Sequence, residues 1–119
     1  MRAALLALPV VVLLSLTGCS AVLAAGQGTF DGQRAAAADS AAKSDVANAK
    51  VAVLAYQVSG GTGLPAVTAL AEYGYVPSDG VAAVTISGDE TDFCVETISA
   101  TDNTFHAEVS GTIEEGPCP

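Results

Sequence analysis

The chain is predicted to be an α+β protein from three features. An alanine-rich stretch in its first half carries helical periodicity. Its second half alternates apolar and polar residues. Glycine- and aspartate-rich turns cut that alternation into short pieces. Helix first and strands afterwards is the order of segregated α+β architectures, so a long N-terminal helix should pack on a three- to four-stranded antiparallel sheet.

The first element is a targeting segment. Arg2 is a minimal basic region, and Ala3 to Leu16 is an apolar run interrupted by Pro9 and Ser15. Leu16-Thr17-Gly18-Cys19 looks like a bacterial lipobox: two small residues suit a peptidase pocket, and Cys19 supplies the thiol that lipidation requires. Residues 1–18 are therefore read as a lipoprotein signal peptide and Cys19 as the lipid-modified mature N-terminus. A spanning helix needs roughly 20 apolar residues, and the run before Cys19 is shorter. Uncleaved, Ala3–Ala25 is just long enough to be retained as such a helix, and ordinary secretion is a further alternative. One acyl chain anchors only marginally, but bacterial lipoproteins resemble one another in carrying two or three. The expected location is extracytoplasmic, with the chain lipid-anchored to the cell membrane.

Residues 19–33 are read as a flexible tether. They contain Gly26, Gly28 and Gly32 and no sustained periodicity. A flexible stretch of this length spans about 20 Å root-mean-square. Residues 34–119 are then the single folded domain, about the size one core supports.

Arg34 to Val58 reads as the long helix. Ala35–Ala38 and Ala41–Ala42 are strong helix formers. Asp39, Lys43, Lys50 and Gln57 form one narrow polar stripe at about 100° per residue. Ala47, Val51, Leu54 and Val58 form an apolar row on one side of it, and Val46, Ala49, Val53 and Tyr56 a second row on the other. The first row is assigned to the sheet and the second to a short helix or a partner. Ser59-Gly60-Gly61 ends the element. Leu64–Gly74 reads as a short second helix with Pro65 in its first turn and Gly74 as its terminator, and Val76–Gly80 as a turn.

Three strands are expected at Val81–Ser87, Phe93–Ser99 and Thr104–Ser110. Their alternation suits an antiparallel sheet with one wet face. Phe93, Val95 and Thr97 share one face, as do Phe105, Ala107 and Val109, while His106 and Glu108 take the other. Thr112-Ile113 is placed as a possible edge, and Glu114-Glu115 as a charged turn.

Loss of the signal leaves Arg34, Lys43 and Lys50 against thirteen carboxylates, a formal charge of −10. Such a surface is repelled by nucleic acid, which excludes that class of partner. With Cys19 committed to lipid, Cys94 and Cys118 form an even pair in an oxidising compartment. A disulfide between them closes a loop worth about 3 kcal/mol in the chain-entropy model. Two cysteines and the distant His106 lack the fourth ligand and close spacing of a zinc site. Asp89, Glu90 and Asp92 offer carboxylates to Ca²⁺ in one turn, against the alternative of a solvated acidic turn. His106, the single histidine, lacks a visible nucleophile and orienting acid, so no catalytic residues are assigned and the chain is read as no enzyme.

Three groups of residues carry a family resemblance. The first is Ala42-Lys43-Ser44-Asp45-Val46-Ala47-Asn48-Ala49 leading to Ala55-Tyr56. The second is Tyr73-Gly74-Tyr75-Val76-Pro77-Ser78-Asp79-Gly80-Val81. Asp92-Phe93-Cys94-Val95-Glu96 with a penultimate cysteine completes it. Together they resemble the globular part of a type IV pilin or pseudopilin. The resemblance implies a helical spine across an antiparallel sheet and a C-terminal region bracketed by a disulfide, which Cys94 and Cys118 match. Some secretion pseudopilins are similar in having a calcium-binding loop. Pilins carry a glycine–phenylalanine cleavage site followed by a glutamate and a long apolar helix, and here a lipobox and a glycine-rich linker stand instead. The expected function is a membrane-anchored, non-enzymatic surface lipoprotein acting through protein–protein contact or as a structural element. The alternative is a lipoprotein that binds a small molecule or an ion.

Overall fold

A computed structural model describes the backbone from Leu16 to Pro119 and the side chains from Gly28 onward. The signal peptide at 1–18 and lipidation of Cys19 concern side chains outside the described residues. Among the described residues no helix is long and apolar enough to cross a membrane.

Helix α1 runs from Leu16 to Val58. It is longer than expected and takes in 19–33, the stretch read as a tether. Glycine costs only about 1 kcal/mol in a helix interior, and no proline interrupts the alanine-rich segment, so cooperative propagation carries the helix through. Contacts divide the chain between Gln33 and Arg34, and the compact unit Arg34–Pro119 holds the sheet.

A 3₁₀ helix at Val67–Tyr73 replaces the short helix expected at Leu64–Gly74. Gly74 terminates it at φ +89°, a conformation that glycine adopts without steric cost. Four strands follow: β1 Thr85–Gly88, β2 Phe93–Ile98, β3 Thr104–Glu108 and β4 Glu114–Glu115. They form an antiparallel meander in the order β1-β2-β3-β4. The β1–β2 turn depends on Gly88, at φ +95°, where a Cβ would collide with the Asp92 carbonyl.

The fold class is thus one long helix with a four-stranded antiparallel sheet. The β2 face expected to be apolar is buried: Phe93, Val95 and Thr97 are all inside. Thr97 keeps its hydroxyl satisfied by donating to the Ala82 carbonyl at 2.6 Å. One core cluster joins Ala49, Ala52 and Val53 of α1 to Leu70, Tyr75, Val84, Phe93 and Val95. A second joins Ala42 and Val46 to Phe105 and Ala107.

The helix presents the opposite row from the one expected. Val51 and Val58 are 63% and 90% exposed, and Leu54 is only half-buried against the core. Val46, Ala49 and Val53 are buried. The two rows flank the polar stripe symmetrically, so the loops that bind the stripe decide which row faces inward. Asp39 accepts from Ser99, Thr101 and Asn103 of the β2–β3 turn. Lys50 donates to the Gly111 carbonyl at 2.7 Å, and Gln57 to the Glu90 carbonyl at 2.7 Å. The stripe is therefore an anchored seam along the edge of the interface. Small Ala42, Ala49 and Ala52 on the buried side allow the helix to lie close to its neighbours.

Candidate functional site: the cleft under the C-terminal tail

The second face of the sheet follows from the register. Glu96 pairs with His106, and His106 with Glu114. Residues directly opposite in an antiparallel ladder share a face, so Glu96, His106 and Glu114 form one row across β2, β3 and β4. Cys94 lies on that face too, because it is two residues from Glu96.

The C-terminal tail closes over this row. Cys94 and Cys118 form a disulfide with Cα atoms 6.0 Å apart, inside the usual range for such a bridge. The Cys118 amide donates to Glu96 Oε2 at 2.6 Å. The Gly116 amide donates to the Thr104 carbonyl at 2.8 Å, and the Gly116 carbonyl lies 2.8 Å from His106 Nδ1. A carbonyl only accepts, so Nδ1 carries the proton in this bond.

His106 was expected on a wet face, yet it is only 9% exposed. The tail covers it, so β3 is buried on both faces at Phe105, His106 and Ala107. Glu114 and Glu115, read as a turn, instead form the edge strand β4. Beside the tail is a cleft of about 270 Å³ lined by His106, Glu108, Gly111, Thr112, Glu114, Pro117 and Pro119. Both cysteines on this face are oxidised in the disulfide. The arrangement therefore presents hydrogen-bond acceptors to the cleft, without pairing His106 to a thiol nucleophile.

The acidic turn, Asp89, Glu90 and Asp92, is organised by hydrogen bonds within it and to a neighbouring segment. Asp89 Oδ1 accepts from the Thr91 hydroxyl and amide at 2.8 Å each and from the Asp92 amide at 2.9 Å. These bonds, the Thr91 hydroxyl first among them, hold the Asp89 carboxyl below the usual carboxylate range. Glu90 Oε2 accepts from the Gly63 amide at 3.3 Å. Asp89 is turned into its own loop and Glu90 toward a neighbouring one. Among the described residues, no group of three or more His, Cys, Asp or Glu is placed to hold a metal ion. The Asp89 carboxylate thus caps its own turn, and the Glu90 carboxylate reaches the Gly63 segment.

The buried row was available to sequence reasoning through parity. Phe93 and Val95 face the core, so Cys94 must face away from it, and a bridge to Cys118 must draw the tail across the face that holds His106.

No family model matches the chain, and no curated protein or solved structure matches it either.

Proposed function

We propose that the chain is a membrane-anchored, non-enzymatic surface lipoprotein whose pilin-like domain works through protein–protein contact or as a structural element. Its place is outside the cytoplasm, tied to the membrane through Cys19. The observation that carries the contact role is the pair of exposed valines on α1. Val51 and Val58 stand seven residues apart on one helix face and are largely exposed, while the opposite row already fills the core. Apolar surface in that position is suited to a second protein. The pilin-like part of the reading is supported by the helix, the antiparallel meander and the disulfide that brackets the C-terminal segment.

Mass spectrometry of membrane-extracted protein tests the anchor. A diacylglyceryl Cys19 at the mature N-terminus is expected, with poor processing or release of a Cys19→Ala form. An unlipidated chain beginning at Met1 overturns it. The contact role is tested by Val51→Asp and Val58→Asp, which should abolish association with the partner while leaving the fold intact. Unchanged association in both variants overturns that part.

A further inference from the structure

The structure assigns the C-terminal tail, residues 110–119, the part of a redox-released strap: a dithiol opens it while the rest of the domain stays folded. Three observations carry this. The first is that the core is complete without the tail. Neither apolar cluster takes a residue beyond Val109. Every residue from 110 to 119 is exposed or half-buried, and Ile113 is among the exposed ones. The second is how little besides the bridge holds the tail down. Strand β4 is two glutamates, a residue type with little preference for strands. Pro117 and Pro119 have no amide hydrogen to donate. Lys50 holds the Gly111 carbonyl, where the tail leaves the core. Past the β4 ladder the tail has the two Gly116 bonds, to Thr104 and His106, and the Cys118 amide on Glu96. Each ordered residue gives up conformational freedom, and so few bonds offset it poorly. The Cys94–Cys118 bridge is therefore what keeps the tail docked.

The third observation is what the tail hides and where a reductant reaches it. Cys94 is 7% exposed and His106 9%, whereas Cys118 is half-buried. Attack by a dithiol therefore falls on the Cys118 sulfur. The S–S bond breaks, the Cys94 sulfur leaves and takes up a proton, and a mixed disulfide forms at Cys118. The second thiol of the reductant displaces Cys118, which leaves as a thiol. The protein bridge gains two electrons and two protons, and the dithiol is oxidised to a disulfide. Once the bridge is open, the tail exchanges between docked and released positions by local unfolding, with both core clusters unchanged. The released state uncovers Cys94, Glu96 and His106 on the face of β2 and β3 that faces away from the core. That face meets solvent only in the reduced protein. The inference goes beyond the contact role of α1 and does not depend on the lipid anchor.

The full chain in detergent micelles is treated with dithiothreitol without denaturant, and amide hydrogen exchange is followed in the oxidised and reduced forms. The expected result is a split. Exchange at the Gly116 and Cys118 amides should rise about tenfold or more, while Val95 and Ala107, paired in the central β2–β3 ladder, stay within about twofold. Iodoacetamide should then label Cys94, and diethyl pyrocarbonate should modify His106, the single histidine, faster than in the oxidised chain. Peptide mapping separates Cys94 from Cys19. Oxidised dithiothreitol should restore the starting pattern. Loss of protection at Val95 and Ala107 on reduction overturns the proposal, because the bridge then holds the fold itself. Unchanged protection at Gly116 and Cys118 in the reduced chain overturns it too, because the hydrogen bonds then hold the tail. A bridge that stays closed in dithiothreitol until the chain is unfolded does the same. Cys118→Ser removes the bridge without reductant and should reproduce the reduced pattern; a protected Gly116 amide in that variant overturns the proposal.

Discussion

Asp45 and Ser78 join α1 to the segment before β1 through both oxygens of one buried carboxylate. Oδ2 accepts from the Ser78 amide at 2.9 Å and Oδ1 from its hydroxyl at 2.6 Å. Asp45 is only 1% exposed, so this is a buried charge held by two donors. Its removal leaves an amide and a hydroxyl without their acceptor. Asp45→Ala should therefore cost about 2–4 kcal/mol, whereas Ser78→Ala, which keeps the amide bond, should cost about 1 kcal/mol. Urea denaturation of the two variants measures the difference, and equal losses would show that the hydroxyl carries the whole interaction.

The inverted helix face gives a direct comparison. Val53 is fully buried and Val51 largely exposed. Val53→Ala should destabilise by about 1.5–3 kcal/mol, and Val51→Ala by less than about 0.5 kcal/mol. The reverse order of the two midpoints in denaturant would restore the packing expected from sequence.

The disulfide spans 24 residues. Cys94→Ala/Cys118→Ala should lose about 2–4 kcal/mol, chiefly by releasing the unfolded chain from a closed loop. It should also loosen the tail over His106, read as faster hydrogen exchange at the Gly116 and Cys118 amides. Protection unchanged at both amides would show that Glu96, His106 and the β4 ladder hold the tail unaided.

Acid stability should depend on Asp39. Hydrogen bonds from Thr101, Ser99 and Asn103, in that order of effect, hold its carboxyl below the ordinary value. A folded value below the unfolded one means that the folded state binds the proton less readily. The stabilising contribution is therefore complete above the unfolded value of about 4, and it is lost as pH falls through the lowered folded value. Asp89 acts in the same direction in its turn. Chemical denaturation between pH 6 and pH 2 should show a shallower acid decline for Asp39→Asn than for the parent chain. An unchanged slope would remove Asp39 from the pH response.

The amino-acid sequence alone determined the order of elements, because that information is local. Alanine content and a 3.6-residue period specify a helix through Arg34–Val58. Period-2 alternation specifies strands, and β2 appears at Phe93–Ile98 with Phe93, Val95 and Thr97 on the buried face as expected. Cysteine parity specified the pair that bridges. Three matters belonged to the tertiary structure. Which of two equally apolar helix rows turned inward was decided by the loops that bind Asp39, Lys50 and Gln57, contacts between residues more than thirty positions apart. Cysteine parity puts the bridge on the face of His106, but how closely the tail covers that ring was decided by the Gly116 and Cys118 bonds formed on folding. Glu114 and Glu115 became an edge strand because β3 offered them a ladder, although two charged residues have little intrinsic preference for one. Periodicity reports how polarity is distributed around an element, whereas the partner of each face is set by chain crossings that only folding creates.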